Sequence, residues 1–199
     1  MKPFRICACF LMLACAEQTP IEADGPIPVG SPAGTNLPAK IVGAYTLDNA
    51  TLNGPKFELI VASGPEASVV YLPNADITSL VRAIVFRGNG TVPYSSVCPE
   101  AVQVIEFRSS GKTYHACLGS NLNSMEMGSW NTTGADDALL AWNIWHDGQV
   151  IANEITPYEV SNDALVGYLV FPLPKSALSP MLVGDNQQYR KIKITLRKV

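Results

Sequence analysis

Leu139-Leu-Ala-Trp142-Asn-Ile-Trp145-His-Asp147-Gly148-Gln149-Val-Ile-Ala-Asn153 is the stretch that decides the fold. Two short runs rich in β-branched and aromatic residues flank Asp147-Gly148, the dipeptide best suited to the positive φ angles of a tight hairpin turn. The segment therefore reads as two antiparallel strands over 139–145 and 149–153. The same logic extends outward. Runs at 102–108 and 112–118 flank Ser109-Ser110-Gly111, and runs at 57–62 and 68–72 flank Ser63-Gly64-Pro65-Glu66. Further β-type runs at 41–47, 166–171 and 190–196 bring the count to about nine strands.

One segment follows a different period. Ile77, Leu80, Val81, Ile84 and Val85 recur at helical spacing, with Asn74 or Asp76 available as a cap and Gly88 available to close the end. The stripe favours one short helix over 75–87, with a β-favouring run through 83–87 as the rival reading. Short strands at regular intervals with turn residues between them predict a mainly β chain, a sandwich rather than a parallel sheet. Residues 41–199 suffice for a single domain with its own core. The Gly-, Ser- and Asn-rich stretch over 119–134 is the one candidate boundary inside it.

The closing third carries a resemblance. Asp147-Gly148-Gln149, then Ala164-Leu-Val-Gly-Tyr-Leu-Val-Phe171-Pro-Leu-Pro-Lys175, then Lys191-Ile-Lys-Ile-Thr-Leu196 is similar to the last strands of telokin-like, immunoglobulin-like extracellular domains of bacterial lipoproteins. In that family a Gly-x-x-x-Phe strand and a proline-containing turn precede a final basic strand. The resemblance covers residues 139–199 and implies an immunoglobulin-like β-sandwich in an extracytoplasmic setting. It implies no single activity.

The opening residues give the address. Lys2 and Arg5 lead into an apolar run over 6–14 that stops at Cys15, the pattern of a secretion signal too short to span a bilayer. Ala14-Cys15 resembles the lipobox of bacterial lipoproteins, although the position three residues before the cysteine holds Met12 and not the family's usual leucine. That resemblance implies a signal peptide over 1–14, lipidation of Cys15 and, with Ala16-Glu17 following and no retention Asp, an outer-membrane location. As the alternative, Ala14-Cys15-Ala16 is also a small-x-small site for ordinary signal peptidase, which would release a soluble protein beginning at Glu17.

Residues 16–40 carry Pro20, Pro26, Pro28, Pro32 and Pro38 among glycine and serine breaks, a composition that cannot bury a core and reads as a tether. Removing residues 1–14 leaves 12 basic and 17 acidic groups, a net charge of −5, which argues against nucleic acid as a partner. The expected partners are the membrane, through the lipid, and an envelope protein or glycan. Cys7 and Cys9 leave with the leader and Cys15 is acylated or removed. That leaves Cys98 and Cys117, which in an oxidising compartment read as one disulfide.

Candidate site residues are few. Cys98, His115, Cys117 and His146 are chemically able to hold a metal, but their spacing matches no compact zinc motif, so neither metal nor cofactor is expected. His115 reads as a partly exposed strand residue beside the disulfide. Trp130, Trp142 and Trp145 can stack on sugar faces if exposed, as in a carbohydrate-binding module, while large aromatics more commonly fill cores. Trp142 and Trp145 lie three apart on a strand and so face opposite sides. Lys191, Lys193, Thr195 and Arg197 alternate with Ile192, Ile194 and Leu196, giving a basic face that meets anionic groups or guards a sheet edge. Asp136-Asp137 and Asp24 read as solvated loop acids, and Gly88-Asn89-Gly90 as a turn. No nucleophile elbow is present, so a non-catalytic binding or scaffolding domain is the leading expectation. The Asn49, Asn89 and Asn131 triplets fit the eukaryotic glycan acceptor pattern and matter only in such a pathway.

Overall fold

The computed structural model describes residues 38–62, 67–87, 97–146, 149–156, 158–178, 182 and 185–199. The expected signal peptide, Cys15, most of the expected tether, and the turns expected at 63–66, 88–90 and 147–148 lie outside them. The described residues belong to one compact unit, Pro32–Val199. Its strands are β1 (Gly43–Leu52), β2 (Phe57–Ile60), β3 (Ser68–Tyr71), β4 (Gln103–Phe107), β5 (Lys112–Cys117), β6 (Met125–Thr133), β7 (Leu139–His146), β8 (Gln149–Ile155), β9 (Tyr158–Val160), β10 (Ala164–Pro174) and β11 (Gln187–Lys198). The helix α1 (Thr78–Val85) falls inside the expected 75–87 segment. The mainly β class read from the sequence is the class found, with the expected sandwich taking a barrel-like form.

Nine strands form one antiparallel sheet in the order β8-β7-β6-β5-β4-β1-β11-β10-β9, and β2 and β3 form a separate hairpin. β8 and β9 stand at opposite edges of that sheet, yet β8 ends at Ile155 and β9 begins at Tyr158. A flat sheet of this width would place its edges about 40 Å apart, while the link spans at most about 11 Å. The sheet must therefore curl until its edges meet, and it does. The Thr156 amide donates to Tyr168 O of β10 at 2.8 Å. The result is a nearly closed barrel.

Alternation sets what faces inward. Leu140, Trp142, Ile144 and His146 of β7 are buried and their neighbours are not, and Ile192, Ile194 and Leu196 of β11 do the same. β1 needs a device to keep all its large side chains inside. Its register with β11 shifts between Leu47 and Asn49, so Asp48 is the extra residue of a bulge. Tyr45 and Leu47 before it, and Ala50 and Leu52 after it, consequently all point inward.

Two strands escaped the sequence reading. β6 lies within the Gly-, Ser- and Asn-rich stretch over 119–134, yet it pairs with both β5 and β7 in the interior of the sheet, so that stretch is no boundary. Its apolar alternation is interrupted at Gly128, where an added Cβ would lie 1.9 Å from Asn143 O. Close approach of β7 demands the glycine that disguises the strand. β9 has only three residues and carries too little pattern to read.

The helix is held at both ends and along its length. Asp76 Oδ1 accepts from the Thr78 amide at 2.8 Å and from its hydroxyl at 2.6 Å, and these bonds hold the Asp76 carboxyl below its ordinary pKa. Arg82 donates to Leu47 O and Glu100 O, and its Nε lies 3.0 Å from the Glu100 carboxylate. Val81, Ile84, Val85 and the following Phe86 are buried.

Candidate functional site

The expected site residues divide between core and surface. Cys98 and Cys117 form the predicted disulfide, with Cα atoms 5.8 Å apart, tying the segment before β4 to the end of β5. His115 is fully buried, which corrects the expectation of partial exposure. It shares the inward phase of β5 with Thr113 and Cys117, and the end of α1 lies against it. Its Nε2 donates to Val85 O at 2.8 Å, and its ring stacks on Phe86 at 4.9 Å. His146 Nδ1 donates to Ile84 O at 3.2 Å. A carbonyl can only accept, so each contact fixes which ring nitrogen carries the proton. The two histidines thus bond to the last carbonyls of the helix, Val85 O and Ile84 O, the latter also accepting from the Arg87 amide at 3.3 Å. Burial is the larger influence on His115 and lowers its pKa to about 4, against the Val85 hydrogen bond, which favours the charged form. The four residues considered as metal donors are therefore occupied by a disulfide and by helix anchoring.

Trp130 and Trp142 are also core residues, which corrects their role as surface stacking platforms. They face each other across β6 and β7, and each packs on Phe107, at 5.7 and 5.6 Å between ring centres. Trp130 Nε1 donates to Arg108 O at 2.9 Å. Trp145, on the other face of β7, is half-buried. Of the three tryptophans, only Trp145 is left with solvent-exposed ring surface.

Lys191, Lys193 and Arg197 are exposed along β11 as the alternation predicts. β11 is an interior strand, however, paired with β1 on one side and β10 on the other, so its cations guard no edge. Lys191 Nζ lies over the Tyr168 ring at 5.5 Å, and Arg197 pairs with Asp48 at 2.8 Å.

Among the described residues, a cleft of about 490 Å³ lies between the β2–β3 hairpin and the adjoining ends of β10 and β11. The hairpin is attached by backbone bonds. The Ile60 amide donates to Lys175 O at 2.9 Å, and the Ala177 amide donates to Ile60 O at 2.7 Å. Gln188 ties the two walls, donating from Nε2 to Glu58 O at 3.1 Å and to Pro174 O at 3.2 Å. Its Oε1 accepts from Arg190 Nη2 at 2.9 Å, while Arg190 Nη1 donates to Tyr189 O at 2.9 Å. Phe57, Ile60 and Val70 supply an apolar wall, and Lys56, Lys175 and Arg190 supply three cations against the single acid Glu58.

Set against known protein families, curated proteins and solved structures, the chain matches none. The cleft must be judged on its own chemistry. It contains no hydroxyl, thiol or imidazole among its lining side chains, and nothing among the described residues points to catalysis. Lys56, Lys175, Gln188 and Arg190 were not singled out from the sequence. One signal was present. Arg190 occupies the apolar phase of β11, in step with Ile192, Ile194 and Leu196, and a cation at an inward position of a strand calls for an explanation.

Proposed function

We propose that the chain is a lipid-anchored domain of the cell envelope that binds another envelope component without transforming it. Cys15 would carry the lipid at the outer membrane, where two or more acyl chains hold firmly and a single chain binds reversibly. The Pro- and Gly-rich tether would keep the domain clear of the head groups. The cleft is the observation that supports the binding part of this reading. It is cationic and partly apolar, it is braced by Gln188, and it is lined by no hydroxyl, thiol or imidazole. Such an arrangement suits recognition.

The test is the intact mass of protein from the native membrane fraction, with and without reductant. A chain beginning at Cys15 plus acyl groups, gaining about two daltons on reduction, is the expected result. A lipid-free chain beginning at Glu17 overturns the anchor and makes this a secreted binding domain. A hydrolytic or transfer activity abolished by one side-chain change overturns the binding reading.

A further inference from the structure

Resting on the reading of the cleft as a binding site, we infer that its ligand is an amphiphilic organic anion. A phosphate or carboxylate group would lie among Lys56, Lys175 and Arg190, and an apolar body would lie on Ile60 and Val70.

Charge is the first argument. The whole chain is acidic, with a net charge of −3, yet this cleft gathers three cations around one acid. Ion pairs among the described residues lie elsewhere, as at Arg82–Glu100, Arg108–Glu106, Lys112–Glu126 and Arg197–Asp48. Lys56, Lys175 and Arg190 take part in none of them. Arg190 is oriented by two neutral oxygens, Gln188 Oε1 and Tyr189 O, which hold its guanidinium without cancelling its charge. Gathering like charges in this way is unfavourable in the empty protein, and an anion relieves it. Glu58 reduces the local excess to two positive charges. A phosphomonoester or a pair of carboxylates matches that excess, and a polyanion such as nucleic acid does not.

The apolar wall is the second argument. Ile60 is 44% exposed and Val70 is 51% exposed. Glu58 pairs with Val70 while Ile60 pairs with Ser68, so Ile60 and Val70 are diagonal neighbours on one face of the hairpin. An inorganic anion would leave that surface wet. A ligand with an apolar portion covers it, contributing about 25 cal/mol per Å² removed from water. The volume, about 490 Å³, suits a ligand of small-molecule size. The walls are also fixed before binding, because Gln188 bonds to both, and a preorganised site spends less on ordering itself.

Isothermal titration of the full chain at low ionic strength tests this. The probes are dodecyl phosphate below its micelle concentration, dodecyl trimethylammonium of equal chain length, inorganic phosphate, and vesicles containing an anionic phospholipid. Lys56→Glu, Lys175→Glu and Val70→Asp serve as variants, since all three positions are exposed, and retained cooperative unfolding certifies their fold. Dodecyl phosphate should bind well above inorganic phosphate. Each charge reversal should weaken it by about tenfold or more. Charge-dependent binding that extends to vesicles identifies a membrane lipid as the source, and binding confined to the free amphiphile identifies a soluble one. Both outcomes sustain the inference. Equal binding of the cationic amphiphile, abolished by Val70→Asp, overturns the anionic class and leaves the cleft a binding site. Binding to vesicles that none of the variants alters assigns the interaction to the exposed β11 lysines and overturns the inference. No binding of either amphiphile overturns it as well, while a ligand of other chemistry lost in Val70→Asp would still sustain the cleft.

Discussion

The β2–β3 hairpin and the helix α1 both lie between β1 and β4 in the chain, and they end in opposite surroundings. The helix is pressed against the inside of the curled sheet. Its last carbonyls are taken up by His115 and His146, and Arg82 reaches back to β1. The hairpin packs Phe57 and Leu59 inward and leaves Ile60, Val61, Val69 and Val70 substantially exposed. Apolar surface has been used in one element to stabilise the fold and in the other left open beside unpaired cations. A hairpin optimised for stability alone would not expose four aliphatic side chains. The contrast is the reason the proposed binding site is put on the hairpin side.

The contrast can be broken most severely at Phe86. It is fully buried at the end of α1 and stacks on His115, so Phe86→Ala should cost about 3–5 kcal/mol of unfolding free energy by urea titration. Reducing the Cys98–Cys117 disulfide, which closes a loop of 19 residues' separation, should cost about 3 kcal/mol and lower the urea midpoint. Acid should loosen the helix side selectively. His115 has a folded pKa of about 4, below its ordinary 6.5, so between those values the unfolded chain binds more protons. The contribution is complete above about pH 6.5 and is lost as pH falls towards 4. It is worth on the order of 3 kcal/mol. Unfolding titrations across that window should show the slope, and His115→Gln should flatten it. The smallest effect belongs to the hairpin. Val70→Ser should change stability by no more than about 0.5 kcal/mol, and a loss comparable to that of Phe86→Ala would erase the distinction drawn here.

How much of this was legible in the sequence depended on whether a residue's role is local. The three hairpins and the helical stripe were readable because turn chemistry and periodicity act over a few residues. β6 was not, because Gly128 answers to the backbone of β7 and not to its own neighbours. His115 was placed on the face it shares with Cys117, but alternation cannot say which face is inward until the partners are known. Trp142 was given a face by the same rule, and only the packing of Phe107 shows that the face is the core. The cleft was least legible of all. Lys56, Lys175 and Arg190 come from three separate parts of the chain and meet only because Ile60 bonds to the segment after β10.

β1 and β11 are neighbours in the middle of the sheet, joining the five-strand run β4–β8 to the three strands β9–β11. The interior junction of the sheet is therefore made by the strands most distant in sequence. Loop closure over such a separation must be met before the contact returns anything, which places this chain among slow folders of high contact order. Losing the final strand would not trim an edge. It would part the sheet along its middle, so a chain cut short before Gln187 has no partly finished barrel to fall back on.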